Sequence, residues 1–130
     1  MRSEAREAAF KIVFAELFNP DCGEKFRRGV CKQAELGEED TAFALSLAAC
    51  VDAHREELIS DIAERVTGYA EHRIYAADKA AIMLALAEIR YFDDIPPVVS
   101  VSEATALARK YSTERSADFV NGVLGGFINK

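Results

Sequence analysis

Two adjacent prolines, Pro96 and Pro97, constrain the last third of the chain more than any other feature. Proline lacks a backbone N–H and clashes with the preceding helical turn, so a helix before this pair must end there. Ser100 and Glu103 then have the Ser-x-x-Glu spacing of a capping box. This spacing predicts that the next helix begins at Ser100 and runs to Tyr111, with a cap that contributes about 1 kcal/mol.

The rest of the chain shows helical periodicity and no convincing strand alternation. Only three Pro and seven Gly occur among 130 residues, which favours long regular elements. The pattern predicts six helices, over residues 3–18, 24–34, 38–66, 77–92, 100–111 and 114–128. Ser3 is a candidate N-cap of the first helix. The third is predicted as one helix, straight or kinked, because it holds no Pro or Gly, and Gly68 follows it. The predicted fold class is all-α, a single-domain helical bundle over residues 1–130.

Three glycines lie inside the last predicted helix: Gly122, Gly125 and Gly126. Each costs about 1 kcal/mol in a helix interior relative to Ala. Because something must offset that cost, we expect another helix to approach this one closely.

The sequence holds no recognisable catalytic or metal-binding pattern. Gly-x-Ser-x-Gly, His-Glu-x-x-His and Gly-rich phosphate loops are all absent. Cys22, Cys31 and Cys50 lack C-x-x-C spacing and are expected to be reduced thiols, and His54 and His72 add too few ligands for zinc. A Cys nucleophile with a His base is compatible with the spacing, but no other pattern supports it. We therefore expect no enzyme, no cofactor and no metal site.

The charge of the chain is acidic in total but uneven along its length. A net charge of −6 argues against a general nucleic-acid binder. Residues 35–61 contain eight acidic residues and one basic residue, whereas residues 25–32 contain four basic residues and no acidic one. An acidic total can therefore coexist with a small basic face.

The N-terminus has no apolar segment like that of a signal peptide. The apolar run over residues 80–87 is far too short to span a bilayer. The sequence therefore predicts a cytoplasmic protein without a membrane segment.

Several short strings match a known family. They are Asp94-Ile95-Pro96, Val99, Glu103-Ala104, Leu107-Ala108-Arg109 and, most specifically, Phe119-Val120-Asn121-Gly122-Val123-Leu124, with weaker matches at Ala5-Arg6-Glu7 and Asp78-Lys79-Ala80. Together they resemble the NusB family of bacterial transcription antitermination factors. The resemblance implies a bundle of two packed three-helix halves, the second beginning near Asp78.

The resemblance also implies an RNA-binding surface. Its candidate residues are Arg2, Arg6, Phe14, Arg109, Arg115 and Phe119. From the residues alone, Arg2 and Arg6 lie one turn apart and can face a phosphate backbone, but ordinary arginines paired with nearby acids are the commoner case. Phe119 is either a core aromatic or, if exposed, a platform for a base. The family carries further arginines where Ser3 and Glu4 stand here.

A protein partner follows from the same resemblance. Its candidate residues are Asp78, Lys79 and Glu88. The first two match a family acidic-basic pair near the contact with the small-subunit ribosomal protein NusE, and Glu88 matches a family glutamate. Complementarity with the helix dipole and an internal salt bridge explain Asp78 and Glu88 equally well. Met83 and Ala87 stand where the family usually has Arg and Tyr.

The implied function is that of an RNA-binding adaptor. It would bind boxA-like single-stranded RNA together with NusE, join the RNA polymerase antitermination complex and oppose premature termination on ribosomal RNA operons. One alternative is a helical protein–protein adaptor without RNA binding. Another is the NusB-like domain of a ribosomal-RNA cytosine methyltransferase, disfavoured because Lys130 ends the chain without room for a cofactor-binding domain. The apolar helix faces are compatible with a monomer or a homodimer.

Overall fold

The computed structural model describes residues 2–66 and 74–128, and these residues form seven α-helices and no strand. The helices are α1 (Arg2–Phe18), α2 (Gly23–Gln33), α3 (Glu38–Ala53), α4 (Arg55–Arg65), α5 (Ala76–Tyr91), α6 (Pro97–Tyr111) and α7 (Glu114–Ile128). The all-α class is confirmed. The predictions at Gly68 and His72 lie outside the described residues.

Helix α5 lies at the centre of the bundle. Every residue from Ala80 to Glu88 is buried, because the helix packs against α1, α3, α4, α6 and α7. A helix that is apolar around its whole circumference needs neighbours on all sides. In the described ranges, no helix combines the length and the apolar character that crossing a membrane requires.

The helices group into two packed halves. In the first half, α1 packs chiefly on α3, and in the second half α6 packs on both α5 and α7. The halves meet where α1 contacts α5 and α6, where α3 contacts α5, and where α4 contacts α5 and α7. This arrangement confirms the implied two-half bundle, with the second half beginning at α5. The first half contains one helix more than predicted.

The extra helix arises from a break at His54, so the prediction of one helix over residues 38–66 is wrong. His54 has φ −114° and ψ 20°, outside the helical range. Its ring stacks on Tyr91 at the end of α5, with centroids 4.0 Å apart. The break redirects α4, whose Leu58 and Ile62 are buried. Packing against α5 therefore ends α3 at a point that no Pro or Gly marks.

Helix α6 begins at Pro97, three residues before the predicted capping box. The first helical position suits proline, since the N–H there has no partner within the helix. Ser100 consequently lies inside α6, and its hydroxyl donates a 2.5 Å hydrogen bond to Oε1 of Glu88 on α5. The predicted start at Ser100 is wrong, because this serine links two helices and does not cap one.

The glycines of α7 differ in their surroundings. Among the described residues, no heavy atom of a neighbouring element lies within 4 Å of a Cβ placed on Gly122 or Gly125. A Cβ on Gly126 would lie 2.7 Å from Nε of Arg65 on α4. The expected close approach therefore occurs at Gly126 alone, and an arginine side chain makes it.

Candidate nucleic-acid interface

Helices α1 and α6 bring four aromatic rings into one row, and three of the rings reach the surface. Phe10, Phe14 and Phe18 lie one turn apart on α1, with successive ring centroids 6.3 and 5.4 Å apart. Tyr111, the last residue of α6, extends the row at 5.1 Å from Phe10. Phe10 is buried, whereas Phe14 is 37% and Phe18 70% exposed. We call these four residues the aromatic row. Its exposed rings have the chemistry of a platform for nucleobases.

Charged residues on α1 and α6 lie beside the aromatic row. Nζ of Lys110 donates a 2.8 Å hydrogen bond to Oε2 of Glu7, and the hydroxyl of Tyr111 donates to the same oxygen. Exposed Lys11 lies close enough to act on the Glu7 carboxylate electrostatically. We call Glu7, Lys11, Lys110 and Tyr111 the Glu7 cluster.

Both acidic groups of the Glu7 cluster have shifted pKa values. Burial raises the pKa of Glu7, but the hydrogen bonds from Lys110 and Tyr111 and the two lysine charges outweigh it, so the pKa lies below its usual value. Burial, followed by the hydrogen bond to the Glu7 carboxylate, raises the pKa of Tyr111 to about 12. At neutral pH the cluster therefore holds a carboxylate and a protonated tyrosine.

Arg2 lies at the surface near the start of α1. Its guanidinium is centred 4.3 Å above the ring of Phe43, and Nη1 lies 3.8 Å from Oδ2 of Asp94. The side chain is about half exposed, so a phosphate can approach it.

Arg6 occupies a very different position from Arg2, although both lie on α1. The residue is 5% exposed, and its Nε donates a 2.8 Å hydrogen bond to Oε2 of Glu88, which is 1% exposed. Nη1 also lies 4.0 Å from Oε1 of Glu103, whose Oε2 accepts a hydrogen bond from the hydroxyl of Ser3. Ser3, predicted as an N-cap, lies inside α1. This buried pair joins α1 to α5 and α6 and leaves the guanidinium inaccessible to a phosphate.

Arg109 and Arg115 lie at the corner between α6 and α7. Nε of Arg109 donates to both carboxylate oxygens of Glu114, at 2.9 and 3.0 Å, and the side chain remains about half exposed. Arg115 is exposed on the first turn of α7. Both cations are available at the surface, and Arg109 precedes Lys110 of the Glu7 cluster in the chain.

Phe119 is half-buried on α7 and packs against the hydrophobic core. The sequence left open whether Phe119 is a core aromatic or an exposed platform for a base, and the structure places it partly in each environment. Stacking of a base on its accessible side stays a prediction.

The residues predicted to bind a protein partner are mostly internal. Asp78 is 4% exposed and accepts a 2.8 Å hydrogen bond from the hydroxyl of Ser116, while Oδ1 has no hydrogen-bond partner among the described residues. Burial raises the pKa of Asp78, and hydrogen bonds from Ser116 and Ser112 only partly offset that effect. Glu88 is buried, and its two carboxylate oxygens accept hydrogen bonds from Arg6 and Ser100. Lys79 is half-buried and is the one member of the three that reaches the surface.

The interface also includes residues that the sequence analysis did not select: Lys11, Phe18, Lys110 and Tyr111. The sequence did contain a signal for Lys11 and Phe18, because they share the i, i+3, i+7 spacing of one helix face with Phe14, which had been selected. Pairing of Lys110 and Tyr111 with Glu7 connects residues more than 100 positions apart, which local spacing does not reveal.

The parts of the chain that the structure describes contain no cluster of three His, Cys, Asp or Glu side chains placed to bind a metal. Cys22, Cys31 and Cys50 carry free thiols.

Nearly the whole chain is similar to proteins of one known family. The model of the NusB family matches residues 3–129. The transcription antitermination protein NusB of Agathobacter rectalis is 37% identical over 129 residues, which cover 97% of this chain and 98% of the relative. The NusB protein of Acetivibrio thermocellus is 34% identical over 127 residues, which cover 98% of this chain and 88% of the relative.

Solved structures share the same fold. A crystal structure of antitermination factors NusB and NusE in complex with dsRNA matches with a TM-score of 0.88 and 22% identity, covering 98% of this chain and 96% of the other. T. maritima NusB matches with a TM-score of 0.86 and 23% identity, covering 100% and 92%. At these identities the likeness establishes the fold alone.

Proposed function

The chain belongs to the NusB family, and from this premise we propose that it binds RNA through the face that α1 and α6 form. The relatives are transcription antitermination proteins, a family without enzymatic activity, so the function to explain is binding. In this proposal residues 1–130 act as one RNA-binding domain in the cytoplasm.

The aromatic row is the observation that carries the proposal. Exposed Phe14 and Phe18 lie in sequence on one helix, beside Lys11 and the Glu7 cluster. Stacking of a base on an aromatic side chain contributes about 1–3 kcal/mol, and lysine or arginine neutralises the adjoining phosphates. Single-stranded RNA, whose bases are free to stack, fits this combination better than a duplex does.

The predicted arginines take two different roles in this proposal. Arg2, Arg109 and Arg115 contact phosphates, because each is accessible at the surface. Arg6 positions α1 against α5 and α6, since a phosphate could reach its guanidinium only after the buried pair with Glu88 had broken. Phe119 adds a partly accessible ring on α7.

A protein partner completes the proposed function. A family member has been crystallised with NusE and dsRNA, which supports NusE as the partner of this chain as well. Lys79, at the start of α5, marks the surface where that partner would bind. Two weak interfaces on one scaffold cooperate through effective concentration, so the pair would hold boxA-like RNA of ribosomal RNA operons and join the RNA polymerase antitermination complex.

One structural observation favours an adaptor that does not bind RNA. Three predicted cations have acidic partners within the chain: Arg2 with Asp94, Arg109 with Glu114, and Arg6 with Glu88. Salt dependence of RNA affinity separates the two functions, because each phosphate neutralised on a single strand adds about −0.7 to the slope of log K against log salt concentration.

The experiment is fluorescence anisotropy of a labelled boxA-like RNA at fixed salt. It compares this protein alone, a NusE-type partner alone and the two together. Tighter binding by the pair than by either component supports the proposal. Partner binding without a gain in RNA affinity supports the adaptor, and binding of neither contradicts both. Light scattering on the same samples distinguishes a monomer from a homodimer.

A further inference from the structure

In the Glu7 cluster, a carboxylate of the protein itself occupies a position whose hydrogen-bond donors suit an RNA phosphate. A lysine ammonium and a tyrosine hydroxyl donate to one oxygen of Glu7, and a second lysine acts on the same group. Donors of this kind bind the non-bridging oxygens of a phosphodiester equally well. The cluster also adjoins the aromatic row, because Tyr111 belongs to both.

We propose that Lys110 and Tyr111 form a subsite for an RNA backbone phosphate, and that the Glu7 carboxylate occupies this subsite in the free protein. The inference rests on the proposed function and adds a phosphate position to it. RNA binding at this point is an exchange of anions, in which a phosphate replaces Glu7 as the acceptor of the two hydrogen bonds.

Exposure of the pair makes such an exchange feasible. The Glu7 side chain is about one-quarter exposed and that of Lys110 more than half exposed. A pair so near water contributes little net stability, because both groups remain well solvated when it opens. The side chains of Arg6 and Glu88, in contrast, are only 7% and 2% exposed, so neither charge would be solvated if that pair opened.

The position of the subsite also sets a path for the RNA across the surface. A phosphate at Lys110 and Tyr111 lies at the Phe10 end of the aromatic row. The neighbouring nucleotides on one side then reach the exposed rings of Phe14 and Phe18 along α1. Glu7 therefore limits affinity at the point where the backbone meets the row.

Glu7→Gln tests the proposal, because it removes the charge and keeps the shape. RNA affinity should rise about two- to fivefold at fixed salt, which is the range expected when one exposed competing ion pair is lost. The slope of log K against log salt concentration should steepen by about 0.7, as for one more phosphate neutralised on a single strand. A purely structural role for Glu7 would lower the melting temperature and leave that slope unchanged.

Glu24→Gln is the matched control. Glu24 lies on α2 and forms an ion pair with Arg28, with Oε2 2.7 Å from Nε and both side chains exposed. The variant therefore changes net charge equally and also opens a surface pair. Equal gains in affinity from Glu7→Gln and Glu24→Gln would overturn the inference, since net charge alone would then explain them.

Lys110→Met provides a second, independent test. In the parent protein Lys110 is held by Glu7, so the substitution should reduce affinity less there than it does in the Glu7→Gln background. Equal losses in the two backgrounds would overturn the inference while leaving RNA binding itself established. Absence of RNA binding by the parent and by Glu7→Gln, with and without the partner, would reject both the subsite and the proposed function.

Discussion

Arg6 and Glu88 form a buried ion pair that links the first half of the bundle to the second. Nε of Arg6 lies 2.8 Å from Oε2 of Glu88, and the two residues are 82 positions apart in the chain. Ser100 donates to the other oxygen of Glu88, so both carboxylate oxygens have a partner. The pair fixes α1, which carries the aromatic row, against α5 and α6. Its role in binding is therefore to position the surface rather than to touch RNA.

Arg6→Ala should destabilise the fold strongly. Removing one partner of a buried pair leaves the other charge without compensation, at a cost of about 3–5 kcal/mol in the free energy of unfolding. Urea denaturation measures this change. Arg28→Ala is the control, because it breaks an exposed pair with Glu24 and should change stability by no more than about 1 kcal/mol. Similar small losses for both variants would show that Arg6 is not held in the interior.

Phe18→Ala should weaken RNA binding and leave stability nearly unchanged. Phe18 is 70% exposed, so its removal costs little core packing, whereas a lost stacking contact costs about 1–3 kcal/mol of binding free energy. Anisotropy titrations and thermal melts measure the two effects separately. Phe26→Ala on α2 is the matched control, since Phe26 is 36% exposed and lies outside the aromatic row. Equal affinity of the Phe18 and Phe26 variants for RNA would remove the row from the binding surface.

Asp78 should make stability depend on pH in a particular direction. Burial raises its pKa in the folded protein above the unfolded value of about 3.9, so the folded protein binds more protons in the window between the two values. The stabilisation from protonated Asp78 is therefore complete below the unfolded pKa and is lost as pH rises through the folded pKa. Asp78→Asn lacks this titration.

Urea denaturation of the parent and of Asp78→Asn across about pH 3 to 7 measures the contribution of Asp78. The difference in unfolding free energy should shift in favour of the asparagine variant as pH rises. Other carboxylates titrate in both proteins and cancel in the difference. Parallel curves would show that burial does not perturb Asp78.

Local spacing predicted those parts of the fold that depend on neighbouring residues. Pro96 and Pro97 correctly separated α5 from α6, and the continuous apolar run over residues 80–87 became the buried centre of α5. The break at His54 escaped prediction because its cause, stacking on Tyr91, lies in another helix. Ser100 has a cap-like spacing but bonds across the helix interface instead.

Local spacing also failed to predict those features of the candidate site that depend on contacts between helices. Spacing placed Arg2 and Arg6 on one helix face, yet Glu88 draws Arg6 into the interior while Arg2 stays at the surface. Phe14 was selected through the family resemblance and lies in the aromatic row. Tyr111 was predicted only as the end of a helix, and the contact with Glu7 on α1 reveals its place at the interface.

Gly122→Ala should raise stability, because the folded chain derives no packing benefit from this glycine. A Cβ at Gly122 meets no neighbouring heavy atom within 4 Å among the described residues, and Ala in a helix interior is favoured over Gly by about 1 kcal/mol. Gly126→Ala is the comparison, since its Cβ would lie 2.7 Å from Nε of Arg65 and must displace that side chain. Displacement also disturbs the guanidinium of Arg65, centred 5.3 Å from the ring of Phe127, so Gly126→Ala should stabilise less than Gly122→Ala. Thermal unfolding of both variants measures the order, and a larger gain for Gly126→Ala would show that Arg65 does not pack over this glycine.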